Sequence, residues 1–136
     1  MTPELIQQLG DDLFAALRER RTLVPFTNRF SDMSVEDAYG VSLQFLKRRV
    51  VAGERVIGKK IGVTSKPVQD MLGVFQPDFG FLTDAMHCED GATVSLKQTG
   101  LIQPKAEGEI AFMLKADLKG PGITREQVMA ATEWVA

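Results

Sequence analysis

The hydrophobic period of this 136-residue chain changes near residue 54. That switch separates a helical front from a strand-bearing remainder. Up to Gly53 the pattern is helical. Thr2 suits an N-cap, with Pro3 and Glu4 in the first turn behind it. Leu5, Leu9, Leu13 and Leu17 then recur every fourth residue and form one apolar stripe. Gly10 interrupts the pattern, at a cost of about 1 kcal/mol relative to Ala. The stretch TLVPFTNRFSDM is a connector broken at Pro25. A second helix begins after Ser34, with Asp37 as its capping-box partner. Val35, Ala38, Val41 and Phe45 are its expected buried face. Lys47, Arg48 and Arg49 suit the negative end of its dipole, and Gly53 can close it.

From residue 54 onward the elements shorten. RVIGKKIGVT is a strand candidate, and SKPVQDML is a short helix stopped by Gly73. VFQPDFGFLTDAM is a loop broken by Pro and Gly that runs into a short strand. ATVSL is a weak strand, residues 106–115 are the clearest strand, and LKGPGI is a turn. Thr124 and Gln127 make another capping box, so REQVMAATEWVA is expected to be helical to the end of the sequence. Such a helix would finish without a C-cap. That leaves two readings open: a fraying terminus, or the front part of a longer protein.

Composition narrows the partners. With 44% apolar and 25% charged residues, the chain matches an ordinary globular domain, and its length allows one. Lys and Arg total 16 against 18 Asp and Glu, a net charge of −2. That balance lacks the basic face needed for nucleic acid or for an anionic membrane surface. No apolar run approaches the roughly 18–20 residues of a membrane span. The first residues, MTPELIQQLGDDLF, lack the layout of a secretory signal. The lone Cys88 has no partner for an internal disulfide, so a reducing cytoplasm is the expected compartment.

Four side chains could carry chemistry. In a strand over 106–115, Glu107 and Glu109 would share a face, with Gly108, Ile110, Phe112 and Leu114 on a core face opposite. Adjacent carboxylates repel, and water, a raised pKa or a cation can relieve the repulsion. Oxygen donors without His or Cys favour Mg²⁺ or Mn²⁺, while on spacing alone a solvated pair is the default. Lys60 shares a strand face with Val56, Gly58, Gly62 and Thr64, so it would sit in a shallow slot between glycines; the alternative is a surface lysine beside turn glycines. Lys59 points the other way. Asp78, in QPDFG, is held between a stiff Pro77 and a yielding Gly80, as acid–base work requires or as a common turn provides. His87 and Cys88 are each the sole residue of their type; they cannot build a zinc site, and neighbours on a strand diverge. The Phe and Met residues are expected in the core.

Taken together, IGKKIGVTSKPVQDMLGVFQPDFGFLTD and LIQPKAEGEIAFMLKADLKGPGIT resemble the 2-oxopent-4-enoate (vinylpyruvate) hydratases, within the fumarylacetoacetate-hydrolase-related hydratase/decarboxylase family. Members act in meta-cleavage pathways for aromatic compounds and are longer than this chain, so the resemblance covers their N-terminal portion. It implies an α+β fold: N-terminal helices in residues 1–53, and in 54–136 the first part of a mixed β barrel or roll, apparently truncated. Glu107 and Glu109 match the metal-binding carboxylates of P-x-x-E-x-E, for Mg²⁺ or Mn²⁺, with a third carboxylate ligand expected after Ala136. Lys60 matches the lysine of G-x-K-I-G-x-T-S, and Asp78 the acid of Q-P-D-F-G. The implied substrate is 2-hydroxypenta-2,4-dienoate, hydrated to 4-hydroxy-2-oxopentanoate by a homo-oligomer. Two alternatives remain. One is a 4-oxalocrotonate decarboxylase of the same family, which looks different at the Q-P-D-F-G position. The other is an inactive fragment or subunit-contact module.

Overall fold

A computed structural model describes residues 1–136, the side chain of Gln98 excepted. The chain divides into two compact units, Met1–Ile102 and Gln103–Ala136. The first unit opens with two long helices, α1 (Pro3–Glu19) and α2 (Val35–Val51). Both begin where the local chemistry places them. The Thr2 hydroxyl accepts from Leu5 N at 3.3 Å, and Ser34 and Asp37 form a reciprocal capping box.

The two helices pack as a hairpin around Leu9, Ala16 and Val41, all nearly fully buried. Gly10 marks their closest approach. A Cβ there would lie 2.5 Å from Gln44 Cβ and 2.9 Å from the Val41 carbonyl oxygen. The glycine that weakens α1 in isolation is therefore what lets α2 come near. The expected buried face of α2 is narrower than its pattern suggested: Val41 is buried and Phe45 half-buried, whereas Val35 and Ala38 are exposed. Neither lies at the crossing with α1, which α2 makes through Gly40, Val41 and Gln44.

After α2 come β1 (Val56–Gly62), α3 (Lys66–Leu72) and β2 (Asp78–Thr83). The strands pair antiparallel, with a bulge between Val56 and Gly58. Gly73 ends α3 in a left-handed conformation that favours glycine (φ 68°). One face of the hairpin meets the helices through Phe79, which stacks on Tyr39 with ring centroids 4.7 Å apart. A buried polar knot ties its end to α2. Arg49 Nε donates to Glu54 Oε2 at 2.7 Å, Arg49 Nη2 to Thr83 Oγ1 at 3.1 Å, and the Thr83 hydroxyl to Glu54 Oε2 at 2.5 Å. The weak strand expected at ATVSL does not form; a single helical turn, α4 (Leu96–Thr99), starts at its last residue instead.

The second unit corrects two expectations. The clear strand of 106–115 is reduced to β3 (Phe112–Leu114). The terminal helix stops early, as α5 (Arg125–Ala131), and the chain continues as β4 (Thr132–Val135). Both changes share a cause: a strand forms only where a neighbour completes its backbone hydrogen bonds. β3 and β4 pair antiparallel, and the ladder extends one step further through Ala111 and Ala136, whose backbone groups exchange bonds of 2.9 and 3.0 Å. Among the described residues the pairing of this segment stops there, and residues 107–110 lie outside regular structure. Thr132, Trp134 and Val135 suit a strand better than a helix, and the ladder decides between the two. The premise of an uncapped terminal helix therefore falls away, because α5 ends inside the chain. The expected core face of β3 is open as well: Ile110, Phe112 and Leu114 are exposed. So are Phe75 and Met71, which the core was expected to hold. Among the described residues no helix is long and apolar enough to cross a membrane.

Candidate functional site

The hairpin of β1 and β2 brings Lys60 and Asp78 together. Its register sets Lys60 opposite Gly80 and Gly62 opposite Asp78. Residues directly opposite one another share a face, as do residues two apart along a strand. Lys60, Gly62, Asp78 and Gly80 therefore form one checkerboard, with each ionisable side chain facing a glycine across the ladder. Diagonal neighbours such as Lys60 and Asp78 sit roughly 7–8 Å apart in such a sheet.

The two glycines play different parts. Above Gly62 lies the carboxylate of Asp78: a Cβ added to Gly62 would meet Asp78 Oδ1 at an impossible separation, and Cγ at 3.4 Å. Above Gly80 no heavy atom comes within 4 Å of where a Cβ would sit. Open space thus lies directly across the ladder from Lys60, where a small molecule can reach the sheet backbone. Lys60 is half-buried and Asp78 exposed.

The opposite face of the hairpin is apolar apart from one lysine. It carries Lys59, Ile61, Phe79 and Phe81. The exposed Lys59 places its Nζ 5.7 Å from the Phe81 ring centroid, a cation–π contact that occupies it in the structure. The slot expected around Lys60 is shorter than the sequence suggested. The bulge takes Val56 out of the alternation, and β1 ends at Gly62, so Thr64 lies beyond it.

Val63 is why the strand ends there. Its φ is 54°, in the left-handed region where a β-branched side chain is strained. Gln69 Nε2 donates to the Val63 carbonyl oxygen at 2.9 Å and pins this turn to α3. Neither residue stood out from the sequence, because no local pattern marks a valine for positive φ. At the other end of the hairpin, Arg55 closes the ladder onto Asp84. The Arg55 backbone N–H donates to one carboxylate oxygen at 2.9 Å, and its Nε to the other at 3.0 Å. Those bonds, the backbone one foremost, hold the Asp84 carboxyl below the usual carboxylate range.

Glu107 and Glu109 belong to the second unit, in the segment before β3. Both are exposed. The same-face argument made for a strand does not apply to them, since the segment is not a strand here. Their oxygens are the donor type that hard divalent cations take. Among the described residues no group of three or more His, Cys, Asp or Glu comes together. Two such carboxylates would supply only part of the shell of such an ion, leaving the rest to water or a chelating ligand. His87 and Cys88 are exposed, with His87 Nδ1 3.9 Å from Glu89 Oε1. A groove of about 430 Å³ runs along α1 and α2, lined by residues such as Leu13, Leu17, Val24, Phe26 and Phe45, and none of the four candidates borders it.

No family model matches the chain. A 2-hydroxyhexa-2,4-dienoate hydratase of Comamonas testosteroni is 68% identical over 133 residues, covering 98% of this chain and 50% of the relative. Nearly the whole of this chain is thus similar to about half of a 2-hydroxy-2,4-dienoate hydratase. A 2-hydroxypent-2,4-dienoate hydratase of Pseudomonas putida is 61% identical over 135 residues, 99% of this chain and 60% of that protein. The chain therefore spans about half the length of the curated hydratases it matches. Among solved structures, 4-oxalocrotonate decarboxylase from Pseudomonas putida G7, complexed with magnesium and adipate, superposes with a TM-score of 0.92. It is 34% identical, over 99% of this chain and 51% of that one. Over the matched half, this chain shares the fold of that decarboxylase, and at 68% and 61% identity the two hydratases are nearer to it in sequence.

Proposed function

We propose that this chain supplies part of a metal-dependent hydratase that converts 2-hydroxypenta-2,4-dienoate into 4-hydroxy-2-oxopentanoate, within the breakdown of aromatic compounds. The observation that carries the proposal is the hairpin checkerboard, which sets a lysine and an aspartate on one face with open backbone beside the lysine. Identities of 68% and 61% to proteins named hydratases support the choice of reaction.

The chemistry needs two proton movements and one water. The 2-hydroxyl loses its proton and C5 gains one, which turns the dienol into an enone. Water then adds its hydroxyl at C4, and C3 takes a proton. Lys60 is assigned to the negative charge of the substrate: its ammonium pairs with the 1-carboxylate or passes a proton at the 2-oxygen. Asp78 is assigned to acid–base work on the carbon skeleton and on the attacking water, where an exposed carboxylate can exchange protons with solvent between turnovers. Glu107 and Glu109 would hold Mg²⁺ or Mn²⁺. Such an ion, held there, would supply Lewis-acid stabilisation of negative charge on the oxygens of the substrate. In the same reading, residues 1–53 form a helical region and residues 54–136 the opening part of a mixed β barrel or roll, in a cytoplasmic homo-oligomer of the relatives' length.

The likeness to a decarboxylase favours a second reading, loss of CO₂ from 4-oxalocrotonate. One experiment separates the two. A protein of the relatives' length carrying these 136 residues is given each substrate with Mg²⁺, and the products are identified by mass. The hydratase reading expects the dienoate to gain 18 Da, the mass of the added water, with 4-oxalocrotonate left intact. Release of CO₂ from 4-oxalocrotonate with no hydration of the dienoate would overturn it. The 136 residues alone are expected to bind Mn²⁺ weakly and to turn over neither substrate.

A further inference from the structure

The geometry points to Gly62 as the residue that positions the carboxylate of Asp78, a role that rests on the reading of Asp78 as catalytic. A glycine at a paired position of a sheet face needs a reason, even at the last residue of its strand, because it contributes no packing and weakens the strand. Backbone conformation is not the reason here: Gly62 is not among the residues of positive φ, so an alanine could adopt its conformation. Space is the reason. The three heavy atoms nearest an added Cβ are all carboxylate atoms of Asp78: Oδ1, then Cγ at 3.4 Å and Oδ2 at 3.8 Å.

The other two glycines on this face show how specific that is. A Cβ on Gly58 would make ordinary contact with Leu82 at 3.8 Å, and one on Gly80 would meet nothing within 4 Å. Of the three, only Gly62 has the functional carboxylate lying over it. The Asp78 side chain thus lies down across β1, onto the row that holds Lys60, instead of standing away from it. Two neighbours hold this arrangement. Pro77 stiffens the chain just before Asp78. Val63, left-handed and tied to Gln69, fixes the backbone just after Gly62. A methyl group on residue 62 would meet the tip of a rotatable side chain and no backbone. The structure therefore answers Gly62→Ala by swinging the carboxylate off β1, with the hairpin retained.

The test reads the carboxylate directly. Asp78 is labelled with ¹³C at its carboxyl carbon in the 136-residue chain, and its resonance is compared at neutral pH in the parent, in Gly62→Ala and in the control Gly58→Ala. The resonance is expected to move in Gly62→Ala and to stay in place in Gly58→Ala. An unchanged Asp78 resonance in a folded Gly62→Ala would overturn the proposal. Should Gly62→Ala fail to fold, the double variant Gly62→Ala with Asp78→Ala is expected to fold, since every atom the methyl meets belongs to Asp78; an unfolded double variant would also overturn it. In a protein of the relatives' length, Gly62→Ala is expected to lower kcat by about 10- to 100-fold, as small misplacements of catalytic groups do. It should add no further loss on an Asp78→Asn background. A moved resonance together with full turnover in both Gly62→Ala and Asp78→Asn would confirm that Gly62 sets the carboxylate, and would overturn the catalytic assignment of Asp78.

Discussion

Replacing Gly10 by alanine sets two effects of opposite sign against each other, and the structure says which wins. In an isolated helix the change is favourable by about 1 kcal/mol, because alanine loses less backbone freedom on folding. In this protein the new methyl would lie 2.5 Å from Gln44 Cβ, 2.6 Å from Gln44 Cγ and 2.9 Å from the Val41 carbonyl oxygen. The first and last of these atoms are fixed to the α2 backbone and cannot turn aside. The helices must part, which loosens the packing of Leu9 and Val41, the two side chains most fully buried between them. Overpacking of this kind costs about 1–3 kcal/mol, and partial loss of contact around the two apolar side chains adds to it. The net expectation is a destabilisation of about 1–2 kcal/mol, a large share of the stability of a small domain. Urea unfolding followed by far-ultraviolet circular dichroism measures it through the midpoint, provided the slope is unchanged. A Gly10→Ala variant as stable as the parent, or more stable, would refute the close approach of α1 and α2.

Three further outcomes follow from the hairpin and the caps. Glu54→Ala leaves the guanidinium of Arg49 buried beside Thr83 without its carboxylate. It is expected to cost about 2–3 kcal/mol in urea unfolding, discounted from a fully buried pair because Glu54 is partly exposed; a change below about 0.5 kcal/mol would remove the knot from the account. Gln69→Ala deletes the bond to the Val63 carbonyl and is expected to cost about 1 kcal/mol. Amide exchange should quicken at residues 63–66, and unaltered exchange there would count against the clamp. Acid should destabilise the fold. Asp37 is held low by hydrogen bonds from the N-terminal ammonium and from Ser34, Asp84 by those from Arg55, and Glu126 by those from its own backbone and Thr124. Each has a folded pKa below its unfolded one, so its contribution is complete above the ordinary carboxylate range, near 4, and is lost as pH falls through the lower folded value. The thermal midpoint should therefore drop between pH 5 and 3, and Asp84→Asn should flatten that drop; a midpoint unchanged over this range would contradict the pairing.

Legibility in the sequence followed the range of the forces involved. α1 and α2 could be read because their caps are local: Thr2 with Leu5, and Ser34 with Asp37, act within one turn. α3 could be read from Pro67 near its start and Gly73 at its end. β3 and β4 could not, because their extent depends on each other. Residues 106–110 carry a strand-like pattern without a ladder, while Thr132–Val135 continue a helical pattern but join one. The row Gly58, Lys60, Gly62 was visible as an alternation. Its pairing with Asp78 was not, because the register across α3 is set by three-dimensional closure and by the bulge near Val56. The motif that carried the family resemblance did survive as a spatial unit, with Lys60 and Asp78 on one face. Glu107 and Glu109 belong to the second unit, and their role stands on donor chemistry and resemblance.

The central claim is that the face shared by Lys60 and Asp78 moves protons for a hydration. Its most direct test is the turnover of 2-hydroxypenta-2,4-dienoate, followed by loss of its diene absorbance, in Asp78→Asn of a protein of the relatives' length, beside the unfolding midpoint of the same variant. A fall in kcat of about 100-fold or more with an unchanged midpoint is the predicted result. Turnover within twofold of the parent would contradict the account.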